Sequence, residues 1–256
     1  METVNNFWLN PIDVRRDVRK QVIQAFAHLT PGAQVYDIGC GDRPFEAVIL
    51  GHGCTYIGVD IADGFYSDKF IDLVGSAYHV PVKDQVADVV LSIQVIEHLE
   101  RPHDAFIEAH RILKAGGIML VTFPFLYPVH AAPHDYMRYT RFYLSMIANR
   151  AGFEILDQQE ISGFWYSVGV NFGIYLQALD RGLLKKIGLI RVAIALVQWA
   201  AFGLHQIEGW ALGVGGKKRD VRSNWPVNYL CILKKLSGPL AISNHKNSHD
   251  PINQGA

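Results

Sequence analysis

Val35-Tyr36-Asp37-Ile38-Gly39-Cys40-Gly41 decides the fold of this 256-residue chain. Two β-favouring residues run into an acid, and glycines then alternate before a helix can begin. Glycines at the end of a buried strand let backbone N–H groups approach a ligand with no Cβ in the way. A second strand, Thr55-Tyr-Ile-Gly-Val-Asp60, also ends in an acid, 23 residues after Asp37. That is close to the roughly 20 residues expected between a glycine turn and a carboxylate that takes ribose hydroxyls. The pair predicts a nucleoside-binding half-sheet.

Two ligand classes compete for such a turn. A dinucleotide wants Gly-x-Gly-x-x-Gly and a helix N-terminus facing pyrophosphate. Here Asp42-Arg43-Pro44 follows Gly41, so the third glycine is missing and an acid stands beside the turn. A carboxylate there repels pyrophosphate but suits a cation. S-adenosylmethionine has an adenosine, a sulfonium and an amino-acid end but no phosphate, and the local charge favours it over NAD.

Outward from this segment the pattern alternates. Apolar residues at helical spacing run from Asp13 to Leu29. Strands are expected at 34–38, 56–59, 69–74, 86–95, 118–123, 153–161 and 228–236. Helices are expected at 44–50, 104–113 and from the N-cap Thr140 to Ala151. The run 86–95 is apolar almost throughout, as a parallel strand covered on both faces should be, with Asp88 near its start. The fold class is therefore α/β, a doubly wound, mostly parallel seven-stranded sheet with a helical insertion before the last strand. Ligands on such sheets sit beyond the carboxyl ends of the strands, where strand order reverses. Gly39, Asp60, Ser76 and the segment Ile93 to Glu97 all fall there.

Composition narrows the function. Half of the residues are hydrophobic, and 24 basic residues balance 24 acidic ones. With no dominant basic tract, no nucleic-acid partner is expected. Three cysteines without metal-ligand spacing point to free thiols in a reducing compartment. Cys40, between the two glycines, reads as a small packing residue. The first ten residues lack a basic, apolar leader pattern, so a cytoplasmic location is expected. The polar stretch 243–256 reads as disordered.

The ordered series Asp-Ile-Gly-Cys-Gly, Gly-Val-Asp, Val-Pro-Val, Ala-Asp-Val-Val-Leu-Ser, Ile-Glu-His-Leu and Arg-Ile-Leu-Lys-Ala-Gly-Gly resembles the class I S-adenosylmethionine-dependent methyltransferases. It is most similar to the type 11, ubiquinone-biosynthesis-like group, over about residues 30–161 and the final strand. The resemblance implies S-adenosyl-L-methionine as cofactor. Asp37, Gly39, Cys40 and Gly41 would line its methionine end, and Asp60 with Ile61 its ribose. Ser76 and Ala77 would meet the adenine, with serine where such enzymes usually carry aspartate. Ile93 and Gln94 would flank the sulfonium. His98 after Glu97 follows the family pattern and implies a packing role, so no metal is expected. His52 and His110 read as surface or packing histidines.

Acceptor chemistry is expected after the fifth strand. Residues 127–140 concentrate His130, His134, Asp135, Tyr136, Arg138 and further tyrosines, and histidine is a ready base near neutral pH. The catalytic candidates are His134, His130 and Tyr136; Asp135 and Arg138 read as residues that tie the loop down. The stretch His-x-x-Pro-x-Asp-Tyr-x-Arg-Tyr-Thr is similar to that of bacterial methyltransferases encoded beside polysaccharide-assembly enzymes. That resemblance implies an oxygen nucleophile on a small or glycan-type acceptor.

Between the last two strands, residues 162–225 form an insertion with apolar helical stretches at 164–179 and 183–214. The segment 187–204 is 18 residues long with Arg191 and Gln198 as its strongly polar interruptions, the short edge for a membrane span. A lid or homodimer helix, a helix resting at a membrane surface through 183–214, and a spanning helix remain open. The division that follows is an N-terminal helix in 1–30, a methyltransferase core in 31–161 and 226–237, the insertion, and the tail. A catalytically inactive cofactor-binding protein, or one that docks on a membrane or partner, is the alternative function.

Overall fold

The computed structural model describes residues 11–26, 29–62, 70–181, 188–214 and 224–237. Strands β1 (Gln34–Ile38), β2 (Thr55–Asp60), β3 (Leu73–Val74), β4 (Ala87–Ile93), β5 (Leu113–Pro124), β6 (Phe153–Ile161) and β7 (Asn228–Lys235) form one sheet. Its order is β3-β2-β1-β4-β5-β7-β6. All neighbours are parallel except β7, which runs against both β5 and β6. Strand order reverses between β1 and β4, so the crevice expected of a doubly wound sheet opens at their carboxyl ends.

Alternation along the strands sends side chains to two cores. Tyr36, Ile38 and Val90 join Phe106 and Ala109 of α3 (Pro102–Ile112) and Leu144 and Ile147 of α4 (Arg141–Arg150). Val35, Val89 and Leu91 join Val18 and Val22 of α1 (Val14–Ala25) and Ile49 of α2 (Glu46–Gly51). Burial on both faces explains why β1 and β4 are near-continuous apolar runs.

Local chemistry sets the ends. Asp13 caps α1 by accepting the Arg16 N–H, and Thr140 caps α4 by accepting that of Tyr143. Helix α3 begins two residues before its expected start because Pro102 occupies the first turn, where a missing N–H costs nothing. Strand β5 begins at Leu113 rather than Ile118. Leu113 already pairs with Ala87, and the chain bulges through Gly116 (φ +74°) before Ile118 pairs with Val89. Of the expected strand 69–74, Leu73–Val74 pairs with β2, while Lys69 lies outside the described residues.

Two helices separate β6 from β7: α5 (Phe164–Leu179) and α6 (Leu189–Val214). They meet where a Cβ on Gly169 would stand 2.7 Å from Ala201 Cβ and 2.5 Å from Ile12 Cδ1. Glycine there permits the close crossing. Their outer surface is apolar: Trp165, Val168, Phe172 and Tyr175 on α5, and Leu189, Val192, Leu196, Ile207 and Trp210 on α6, are exposed. By length and composition, Leu189–Ala211 is long and apolar enough to cross a membrane, and 22% of its most apolar window is buried. The expected start of this helix at Leu183, the flanking basic residues 185–186 and 217–219, and the tail 243–256 lie outside the described residues.

Lys235 joins the last strand to the end of α3. Its ammonium donates to the carbonyls of His110 and Leu113, each at 2.7 Å, and the residue is buried. These carbonyls end a helix and need donors from elsewhere. Lys235→Met should cost about 1–3 kcal/mol of stability by leaving them unpaired, read as a lower urea midpoint at unchanged m-value.

Candidate functional site

The turn after β1 is held by its neighbour. Gly39 and Cys40 both donate their N–H groups to the Val59 carbonyl, at 2.8 and 3.2 Å. Gly41 N–H donates to Asp60 Oδ2 and Ile61 N–H to Asp60 Oδ1, both at 2.8 Å. Each carboxylate oxygen keeps a second lone pair, so Asp60 can still accept from a pair of hydroxyls. Gly39 is required twice over. Its φ is +76°, and a Cβ there would stand 2.5 Å from Val95 Cγ2.

The charge around this turn suits a cationic nucleoside. Asp37 is 2% exposed and accepts the Tyr56 hydroxyl at 2.6 Å. Burial pushes its carboxyl up to about 7, against that hydrogen bond and with Asp60 nearby adding to the rise. Arg43, which stands where a further glycine is often found, has a φ of +57°. Its guanidinium is engaged by Asp72, Glu46 and the Phe70 carbonyl and lies 4.8 Å from the Tyr56 ring centroid. A pyrophosphate would meet buried acid here and an arginine already committed to two carboxylates. Cys40 is buried, and a Cβ on Gly58 would stand 2.9 Å from its sulfur. Burial first, then Asp37 and Asp60, push its thiol up to about 12, so it packs and does not act as a nucleophile.

The remaining cofactor candidates are placed as follows. Ser76 bridges to His79, and its hydroxyl oxygen accepts the Tyr78 N–H at 3.3 Å. Ala77 is half-buried against the core under α3 and α4. Ile93 ends β4 opposite Thr122. Gln94 (φ +58°) turns its amide onto Thr122 Oγ1 at 3.0 Å. Its side chain therefore ties β4 to β5.

Arg138 organises the segment after β5. It donates to Asp135 Oδ1 and Oδ2 at 2.6 and 2.7 Å and to the carbonyls of Tyr127, Met137 and Pro128. Asp135, its side chain 1% exposed, also accepts the His130 N–H. The Arg138 bonds hold its carboxyl down at about 2, against burial. These contacts carry out the structural role expected of both residues.

The segment is pinned to the β4–α3 turn by Glu97, whose carbonyl accepts the N–H groups of Tyr136 and Met137. The Glu97 side chain is fully buried, and neither carboxylate oxygen has a hydrogen-bond partner among the described residues. Burial pushes it up to about 8, against the nearby positive charge of Arg138. His98 Nε2 and His130 Nε2 approach its Oε1 at 3.8 and 3.9 Å. The catalytic candidates thus separate. His130 faces inward onto Glu97, while His134 is exposed, with its Nδ1 3.1 Å from the Tyr136 hydroxyl. Sequence spacing did not join Glu97 to His130, which meet through the fold. Two grooves run along α1, one beside Asp13 and Ile23 and one beside Ile161 and Tyr166.

Comparison with known proteins agrees with this geometry. Residues 36–121 match a family described as "Methyltransferase domain". A tRNA (carboxymethyluridine(34)-5-O)-methyltransferase of Arabidopsis thaliana is 33% identical over 39% of this chain and 26% of its own length. A probable S-adenosylmethionine-dependent methyltransferase of Mycolicibacterium smegmatis is 30% identical over 46% of each. The chain thus spans a quarter to about half the length of these relatives. The crystal structure of the [4+2]-cyclase SpnF superposes with TM-score 0.56 at 19% identity, over 87% of this chain and 82% of that one. Over residues 36–121 this chain is similar to the class I methyltransferase domains of the type 11 group. A cyclase on the same fold shows that the fold alone does not set the reaction.

Removing the guanidinium tests the loop. Arg138→Met strands a buried carboxylate and should cost about 3–5 kcal/mol, measured by denaturant unfolding near pH 7. Because the Asp135 carboxyl is depressed, the stability it supplies is present above its unfolded value and fades as pH falls through about 2. The gap between wild type and variant should therefore narrow in acid.

Proposed function

We propose that this chain moves a methyl group from S-adenosylmethionine to an oxygen nucleophile on a small or glycan-type acceptor. The observation that carries the reading is the Gly39–Gly41 turn closed onto the Asp60 carboxylate, with Asp37 buried behind it. Asp60 would accept the ribose hydroxyls, Gly39 and Gly41 would admit the methionine end, and Asp37 would face its cationic groups. Ile61, Ser76 and Ala77 would border the nucleoside, and Ile93 and Gln94 the sulfonium. The cofactor supplies an activated methyl carbon with a neutral thioether as leaving group.

The protein must then align the acceptor oxygen, keep water out and take a proton. His134 is the better-placed base: its imidazole is exposed beside Tyr136, whereas His130 is turned onto Glu97. The zero formal charge supports a small-molecule or glycan acceptor over a nucleic acid. The exposed apolar face of α5 and α6 supports a chain that works in the cytoplasm against a membrane surface. Phe172→Glu with Leu196→Glu should abolish co-sedimentation with anionic vesicles while leaving cofactor binding intact. Equal sedimentation of wild type and variant would remove the membrane reading.

Calorimetric titration of S-adenosylmethionine and S-adenosylhomocysteine tests the cofactor site. Wild type should bind both, and Asp60→Ala should bind roughly 10- to 100-fold more weakly, as loss of a charge-assisted hydrogen-bond pair implies. A folded wild type that binds neither would overturn the reading. A cationic ligand favours ionised Asp37, which otherwise titrates near 7 beside Tyr56, Asp60 and Arg43. Binding should therefore release a proton below that pH, and affinity should rise from pH 6 to 8. Asp37→Asn should flatten the profile.

A further inference from the structure

We propose that Glu97, His98 and His130 form a binding site for one divalent transition-metal ion at the acceptor side of the cleft. Their ligand atoms all lie within 4.8 Å of one another, and no ion is present. The sequence pattern alone predicts no metal here, because the third ligand comes from a different loop.

The unpartnered Glu97 carboxylate is the first observation. A buried carboxylate without hydrogen bonds is costly, and nothing among the described residues donates to this one. Two imidazole nitrogens approach it at 3.8 and 3.9 Å, too far for hydrogen bonds. Two ligands about 2.1 Å from a tetrahedral ion sit roughly 3.4 Å apart. The atoms lie up to 4.8 Å apart, so ring movements on the order of an ångström bring the three groups to that spacing.

The second observation is that both imidazoles turn a lone pair toward Glu97. His98 Nδ1 lies 2.6 Å from the His134 carbonyl, which can only accept, so Nδ1 carries the proton and Nε2 is free. His130 Nδ1 has two acceptors at 3.3 Å, the Pro128 carbonyl and Asp135 Oδ2, and the Arg138 guanidinium at 3.4 Å. All five N–H groups of Arg138 are spent on Asp135, Tyr127, Met137 and Pro128. His130 Nδ1 is therefore the donor, and its Nε2 is free as well. A histidine that gives its other N–H to a carbonyl or carboxylate is oriented as metal-bound histidines are.

Two nitrogens and one carboxylate select zinc, manganese, iron or cobalt over magnesium or calcium. Three protein ligands leave coordination positions open. The His98 and His130 side chains are 27% and 32% exposed, so an ion can enter and a substrate oxygen can reach it. Resting on the proposed methyl transfer, the ion would bind the acceptor hydroxyl and ease loss of its proton, leaving His134 free as base.

The test uses the untagged full chain, stripped with a chelator and titrated with Co²⁺ alone. Visible absorption should saturate at one equivalent and be displaced by Zn²⁺. His130→Ala and Glu97→Gln should each weaken Co²⁺ binding by about 100-fold or more, while the exposed control His52→Ala binds as wild type. The His130 side chain is partly exposed, so that variant keeps the test decisive even where Glu97→Gln fails to fold. No stoichiometric binding by wild type, or unchanged binding by His130→Ala, would overturn the site. S-adenosylhomocysteine binding in the same samples separates the two readings: metal loss with retained nucleoside binding leaves the cofactor site standing.

Discussion

Arg138 is the constraint on which the segment after β5 depends. A guanidinium offers five donors in a rigid plane, and here each meets an oxygen of its own segment or of buried Asp135. The loop after β5 thereby acquires one conformation without regular secondary structure. That conformation sets where His130 points and which of its nitrogens carries the proton. Lysine supplies a point charge and could not reproduce this pattern.

The two sides of the cleft share a design. Each places a buried acid beside a turn at a strand end, Asp37 within β1 and Glu97 beyond β4, and burial raises both carboxyls. A raised carboxyl marks unfavourable charge in the free protein, and a bound cation relieves it. On the two readings proposed above, stability lost to these acids on ionisation would reappear as affinity for positively charged ligands. Val95, packed against Gly39, and the Glu97 carbonyl, which holds Tyr136 and Met137, link the two sides mechanically.

The sheet was legible because its strands obey simple rules. Residues 34–38 and 153–161 match the expected bounds, since a glycine stands within two residues of each end of both strands. The helix start at Pro102 and the early start of β5 were less legible, because they depend on pairing partners rather than on local propensity. In the site, the glycine turn and Asp60 could be read from spacing, as one crossover connects them. Nothing in sequence separation signals that Glu97 and His130 converge, or that Arg138 has no donor left for His130. Such facts belong to tertiary hydrogen bonding, where a single accepted or refused proton decides a role.

Ile161, the last residue of β6, pairs directly with Asn228, the first of β7. The chain therefore leaves the sheet and returns to it at adjoining rungs of one ladder, however much is carried between them. Closing such a gap costs only logarithmically more entropy as the excursion lengthens. The core can tolerate exchange of the whole excursion at that rung, so the sheet and the helices inserted before its last strand are free to diverge separately.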